Sequence, residues 1–475
     1  MVDNSFDRVY DVVIVGAGIS GINTAYHIQK KFPGLTYCII EARDNLGGTW
    51  DLFRYPGIRS DTDLHTFGLG WNPWNENRAI ADGGSIVRYL CQSAQKEGID
   101  RHILFRHRVT AANWSTELRL WQLDVRQENG HRVQTQARFL VLGTGYYDYA
   151  EGLEPEIPGL ATNFKGTVAH PQFWPKSLDY TNKQVVVIGS GATAITLVPN
   201  LASKAAHVTM VQRSPTYIMS MDNTTGNSLR HRLLPRSWSF AIDRWLFMWG
   251  IFFIFHICRL FPERSREFLQ TAVEKQLPHH IPVNPHFTPR YKPWDQRLCF
   301  SPNGDFFASL RMGKAHVETD YIKSVTASAV LLESGKQLDA DIIIPATGLK
   351  LAIGGRIDIS VDNHPVDLAF MMGYTNASWT LGAEVSSHLV CRVLQHMRKK
   401  HYDVVIPRLP AGRPIEPRLM WSLNSTYVQK AAGSMPRCGN FGPWKGRTNY
   451  FMDLLFAKYS SITNDLEFHK VDKAQ

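Results

Sequence analysis

Cysteine is scarce and unpaired. The chain has six, at Cys38, Cys91, Cys258, Cys299, Cys391 and Cys438, and none lies in a Cys-x-x-Cys pair. This spacing excludes a zinc ribbon and a redox dithiol, and sparse cysteine suits a reducing cytoplasm. Runs of like charge are also missing. Lysine and arginine are scattered, and there is no zinc-finger or RNA-binding aromatic signature. Nucleic acid is therefore not an expected partner. Net charge is nonetheless +10, which favours other anions: nucleotide phosphates or an anionic membrane surface. The opening Met-Val-Asp-Asn-Ser-Phe-Asp-Arg has no apolar signal region.

Long apolar runs are lacking, with one near exception. Trp245 to Cys258 is almost entirely bulky and apolar, and it is bounded by Arg244 and Arg259. As a helix it would extend ~20 Å. A bilayer core needs about 20 residues, and His256 interrupts the run. Two readings fit this segment. One is a buried or lid helix. The other is an interfacial helix on a membrane surface, with the flanking arginines at the headgroups.

The chain does contain two glycine-rich loops, each in a strand–loop–helix–strand setting. Asp11–Val15 reads as a buried strand. Gly16-Ala-Gly18-Ile-Ser-Gly21 follows, then a helix over 22–31 and a second strand, Tyr37–Ile40, closed by Glu41. Gly16 allows the tight turn, Gly18 lets backbone approach a pyrophosphate, and Gly21 lets the helix pack on the sheet. Amides at the helix N-terminus then face the anion. Glu41 lies 20 residues past Gly21. A carboxylate there accepts from a ribose 2′-OH and repels a 2′-phosphate. The first site thus suits FAD or NAD(H).

Lys183–Ile188, Gly189-Ser-Gly191-Ala-Thr193-Ala194, a helix to Leu201 and the strand His207–Gln212 repeat the plan. Here the strand ends in Arg213, with no carboxylate nearby. An arginine can fork onto a 2′-phosphate, so the second site suits NADPH. The fold expected is α/β, with two Rossmann-like dinucleotide-binding domains. Residues 1–150 and 346–475 form the first. Residues 183–216 and 293–345 form the second, which carries a helical insertion at 217–292. A linker at 151–182 joins them. Further helices are expected at Ser387–Lys399 and Tyr450–Tyr459.

The linker carries the most specific pattern. Residues 164–175 read Phe-Lys-Gly-Thr-Val-Ala-His-Pro-Gln-Phe-Trp-Pro. At Phe164, Gly166, His170, Trp174 and Pro175 they match Phe-x-Gly-x-x-x-His-x-x-x-Trp-Pro, which resembles the fingerprint of the type I Baeyer–Villiger monooxygenases. Gly47-Gly48-Thr49-Trp50 followed by Tyr55-Pro-Gly57 and Asp61 resembles the flavin-proximal motif of the same family. Leu142-Gly-Thr-Gly145 and Pro345-Ala-Thr-Gly348 resemble its strand–glycine crossings. Gly373-Tyr-Thr-Asn-Ala-Ser-Trp379 and Gln296-Arg297 are similar to the subgroup of ethionamide-activating monooxygenases. Members of that subgroup accept ketones and oxidise thioamides and sulfides, and they have been linked to membranes.

The resemblance implies FAD in the first site and NADPH in the second. It implies insertion of one oxygen atom from O2 beside a ketone carbonyl through a C4a-peroxyflavin, with sulfides or thioamides as further substrates. It also implies that an arginine, Arg297 or its competitor Arg290, faces the flavin and pairs with Asp61. A fixed guanidinium there stabilises negative charge on oxygen, and Asp61 positions it. His170 and Trp174 are expected to hold the linker in register during domain motion, not to act as acid or base. Trp379 fits either the substrate pocket or the core. Three alternatives stand beside this reading. A monooxygenase restricted to N or S nucleophiles needs no such arginine. A disulfide reductase needs the dithiol this chain lacks. A non-catalytic NADP-binding flavoprotein would leave Asp61 and Arg297 without a purpose.

Overall fold

The computed structural model describes residues 8–224, 229–365, 373–374, 377–408, 414–421, 424–433 and 435–470. Thr375 and Asn376 of the Gly373–Trp379 segment lie outside the described residues.

Val9–Val15 begins the first sheet, and Val12, Val13 and Ile14 are fully buried there. It lies parallel between Tyr37–Ile40 and Arg132–Leu142. From Arg132–Leu142 an antiparallel meander runs out through Leu120–Gln127 and His107–Ser115. Asp358–Val361 then adds parallel to His107–Ser115, so chain from beyond the second glycine loop returns to this sheet. The helix Trp379–Lys400 returns as well. It packs along Ile19–Lys31, with Trp379 Nε1 donating to Ser20 Oγ (2.9 Å) and Asn23 Nδ2 to Ser387 Oγ (3.2 Å).

The second sheet is wholly parallel: Ala315–Thr319, His207–Gln212, Gln184–Ile188, Ile342–Pro345 and Thr167–Val168. Its last strand comes from the stretch read as a linker. Thr167 N and Ala169 N donate to Asp341 O and Ile343 O, at 2.9 and 3.0 Å. Gly166 sits where a side chain would come within 2.4 Å of Asp341 O. The linker is thus stitched to the second domain, because two residues of extended chain suffice to satisfy that sheet edge.

In chain order, between His207–Gln212 and Ala315–Thr319 of the second sheet, come the helices Leu229–Leu233, Arg236–Leu260, Pro262–Glu274 and Val283–His286. The apolar run read at 245–258 belongs to a longer helix. Trp238–Leu260 has mean hydropathy 1.4 and enough length to cross a membrane, by length and composition alone, and 17% of that window is buried. The helix is therefore not a buried one, whereas the lid and interfacial readings both fit its exposure. Met248 faces inward, while Trp245, Trp249, Phe253 and Ile257 are exposed. A helix apolar all round carries no periodicity to tell its inner side from its outer one.

Candidate flavin and substrate site

Each glycine loop is pinned by the crossing strand of its own domain. Gly16 has φ 101°, and a side chain on it would meet Gly143 O at 2.6 Å; Gly189 has φ 131° and would meet Ala346 O at 2.3 Å. Gly143 and Ala346 belong to the two strand–glycine crossings noted in the sequence. The middle glycines behave differently. At Gly18 an added Cβ would find only ordinary contact, 3.7 Å from Gly48 Cα, and at Gly191 it would find open space. Protein packing does not require glycine at these two positions. Close approach of a dinucleotide backbone would require it.

A cavity of about 370 Å³ starts at the first loop and runs toward the second domain. Gly16, Gly18 and Glu41 line it together with Gly48, Thr49 and Trp50, and Asp61, Thr193 and Arg297 line it as well. Glu41 is buried, and its carboxylate accepts from Ala17 N (2.6 Å) and Arg43 N (3.0 Å). Burial raises its pKa, and the two amide bonds oppose the rise. Thr49 Oγ1 and Tyr149 OH are 3.1 Å apart across the cavity wall. Buried Asp51 receives both Arg43 and Arg54 at 2.5 Å, which fixes the turn beneath the cavity. The glycine loop and the buried carboxylate in one cavity wall fit FAD: Gly16–Gly21 would take its diphosphate and Glu41 its ribose.

Arg297 and Asp61 come together in the cavity wall, with Nη1 to Oδ2 at 3.1 Å. Burial alone would lower the arginine's pKa. The Asp61 carboxylate opposes this and leaves the pKa raised, so the guanidinium keeps its charge. Arg290 is exposed and, among the described residues, lines neither this cavity nor the one behind it. Thr193 enters from the second domain and bonds to the buried Tyr55 hydroxyl. The second loop's helix therefore touches the flavin end of the first domain's cavity.

Arg213 stands exposed at the end of its strand, donating to Thr426 Oγ1 at 2.9 Å. It does not line the first cavity. His170 is likewise outside both cavities. Its Nδ1 accepts from Gln172 N (3.2 Å), which leaves Nε2–H to donate to Leu153 O (3.4 Å). Burial lowers its pKa, so the ring is neutral and serves as a brace. Gln172 Nε2 then donates to Asp148 O (2.5 Å), tying the linker to the first domain. Phe164 packs beside Leu160 and Val325, and Trp174 lies against the core of the second domain.

Four aromatic residues beside Arg297 escaped the sequence reading: Tyr146, Tyr147, Trp421 and Tyr427. Tyr146 stacks on Trp379 (4.7 Å between ring centroids) and meets Trp421 edge-on (5.1 Å). Trp379 thereby lines the flavin cavity. The run Tyr146-Tyr147-Asp-Tyr149, directly after Gly145, was the available signal.

Two dinucleotide-binding folds that close on one cavity, with a guanidinium at its inner end, define a pyridine-nucleotide-dependent flavoprotein. The sequence model described as "Pyridine nucleotide-disulphide oxidoreductase" matches residues 10–236. The chain is 44% identical to the FAD-containing monooxygenase EthA of Mycolicibacterium smegmatis, with 97% of each chain covered. It is 43% identical to the probable FAD-binding monooxygenase AlmA of Acinetobacter baylyi, covering 94% of this chain and 93% of that one. The protein belongs to this family of FAD-containing monooxygenases. Its fold matches that of OTEMO, solved in complex with FAD and NADP: TM-score 0.73 at 22% identity, covering 97% of this chain and 99% of that one.

Proposed function

We propose that this protein is an FAD- and NADPH-dependent Baeyer–Villiger monooxygenase that converts ketones to esters or lactones and also oxidises sulfides or thioamides. The observation that carries this reading is the Arg297–Asp61 pair, half-exposed at the inner end of the flavin cavity. When bound, the flavin supplies dioxygen activated by electrons from NADPH. The chain's own residues do the rest. Gly18 and Gly191 leave room for the two diphosphates. Glu41 accepts from the flavin-side ribose. Arg213 receives the 2′-phosphate that distinguishes NADPH. Thr193 and Tyr55 hold the second loop's helix against the flavin end. Arg297 meets the negative charge that develops on oxygen as the carbonyl is attacked. It costs little reorganisation, because Asp61 already holds the charged guanidinium in place. Oxidation of a soft sulfur nucleophile makes no comparable demand on a guanidinium, so this arginine favours carbonyl chemistry over sulfur-only chemistry. The test is product analysis by mass spectrometry of purified protein with NADPH, air and a panel of linear, cyclic and aryl ketones plus an aryl sulfide. An ester or lactone heavier by one oxygen is expected. Sulfoxide without any ester would overturn the ketone assignment.

The exposed side of the Arg236–Leu260 helix supports a peripheral contact with an anionic bilayer. Trp238, Trp245, Trp249, Phe253 and Leu260 are exposed, and Met452, Leu455 and Tyr459 of the Tyr450–Tyr459 helix continue the face. Trp249 stacks on Phe451 at 4.4 Å, joining the two helices. Arg232, Arg259, Arg264 and Lys458 are exposed at their ends, and the chain as a whole is basic. Interfacial helices combine such an apolar face with flanking cations.

A further inference from the structure

A second cavity, of about 380 Å³, lies behind the first. The two share Asp61, Thr62, Arg297 and Phe300, so the ion pair stands at their junction. Beyond the junction the walls are almost wholly apolar. Phe247, Ile251, Ile254 and Phe255 come from the inner side of the Arg236–Leu260 helix, and Met219 and Met221 come from the strand Ile218–Met221. Tyr450 and Phe451 contribute from the last helix. Apart from Arg297 and Asp61, Asp63 is the one charged side chain among the described wall residues, and it is spent on Thr66, accepting from Thr66 N (2.7 Å) and Thr66 Oγ1 (2.7 Å). Trp294, also in the wall, has a strained backbone with φ 70°. Such outliers cluster at functional sites.

Gly250 is the unusual wall residue. It lies mid-helix, where glycine is unfavourable, yet a Cβ built on it meets nothing within 4 Å. Helix packing does not require it. Its missing side chain keeps the cavity open.

We propose that this second cavity is the hydrocarbon arm of the substrate site and that Gly250 sets its depth. The substrate is then an amphiphile: a carbonyl or sulfur head at Arg297 and a long or bulky hydrocarbon tail running between the Arg236–Leu260 helix and Met219–Met221. The volume falls within the range of about 300–1,000 Å³ typical of pockets that enclose drug-sized ligands. Methionine and phenylalanine walls suit a tail of variable shape, because the thioether is adaptable. The inference rests on the monooxygenase reading for the head group only; the tail's recognition is independent of which atom is oxidised.

Binding to the oxidised, FAD-loaded enzyme separates the two. Dissociation constants for methyl ketones and methyl alkyl sulfides of increasing chain length are read from the perturbation of the flavin spectrum, with no turnover. Affinity in both series should rise by up to about fourfold per added methylene until the arm is full. In Gly250→Leu the rise should stop several methylenes earlier, and in Phe255→Ala it should extend further. Flavin content and thermal transition report that each variant is folded. Dissociation constants that stay flat with chain length in the parent overturn the proposal. So does a length dependence that Gly250→Leu and Phe255→Ala both leave unchanged. A steep dependence in both series, combined with sulfoxide as the sole product of turnover, would leave the arm standing and remove the ketone reading.

Discussion

Arg297 Nη1 lies 3.1 Å from Asp61 Oδ2 on the wall common to the two cavities. On the proposed reading, charge developing on a reacting oxygen at that junction would meet a guanidinium already oriented by Asp61. Removing one such stabilising group lowers turnover by about 10²–10³. Arg297→Ala should therefore lose ester formation on that scale while NADPH still reduces the flavin. Arg297→Lys should recover part of the loss, since charge returns without the fork. Stopped-flow reduction beside steady-state product yield makes the distinction. Equal loss of both steps would remove Arg297 from the oxygen-transfer role.

Arg213 is exposed at the end of its strand, and its modest tie to Thr426 can be exchanged for a phosphate. A charge-assisted contact is worth enough to change affinity by roughly ten- to a hundredfold. Arg213→Ala should raise the KM for NADPH by that factor and leave the KM for NADH nearly unchanged. An unaltered ratio between the two would sink the assignment.

Gly18 and Gly21 separate ligand fit from fold. An added Cβ at Gly21 would lie 1.9 Å from Gly16 O, whereas at Gly18 it has room within the protein. Gly18→Val should give folded protein with little bound flavin. Gly21→Ala should lose soluble folded protein outright. Flavin absorbance per protein, read beside the thermal transition, checks both.

His27 and His388 face each other between the helices Ile19–Lys31 and Trp379–Lys400, with ring centroids 5.0 Å apart. Burial lowers both pKa values, assisted by Lys31 and Lys458: His27 from 6.5 to about 3 and His388 from 6.5 to about 4. The folded state thus binds fewer protons than the unfolded one between pH 6.5 and about 4. Stability from this pair is complete above pH 6.5 and falls as pH drops through that window, at up to about 1.4 kcal/mol per pH unit for each ring. Urea midpoints at pH 7.5 and 5 should differ less in His388→Gln than in the parent. An unchanged difference would show that the acid limb arises elsewhere.

For the exposed helix, the triple variant Trp245→Gln, Phe253→Gln and Ile257→Gln should lose co-flotation with phosphatidylserine-containing vesicles. If the parent fails to float but sediments as a dimer that the variant does not form, the face belongs to a second copy of the chain.

Some elements follow from local pattern alone. Tyr37–Ile40, Ala192–Leu201, His207–Gln212 and Tyr450–Tyr459 fall at the bounds their periodicity and punctuation set. Trp379–Lys400 starts eight residues before Ser387, because its first turns are held by tertiary bonds such as Trp379 to Ser20 and Thr380 to Phe67 O, which local sequence does not encode. The Arg297–Asp61 pairing joins residues 236 positions apart and was legible only through the family's motifs. Tyr427 and Trp421 come from a segment with weak patterning, and only folding brings them beside Arg297. The second cavity had no sequence signature, because an empty volume is a property of packing.

The apolar character on both sides of the Arg236–Leu260 helix has a consequence at the bench. Detergent added to keep such a protein dispersed would coat the outer side as a micelle. Its alkyl tail also has the shape and polarity of the proposed tail-binding arm. Monomeric detergent should then act as a competitive inhibitor well below its micellar concentration, and preparations differing only in surfactant would differ in apparent substrate affinity.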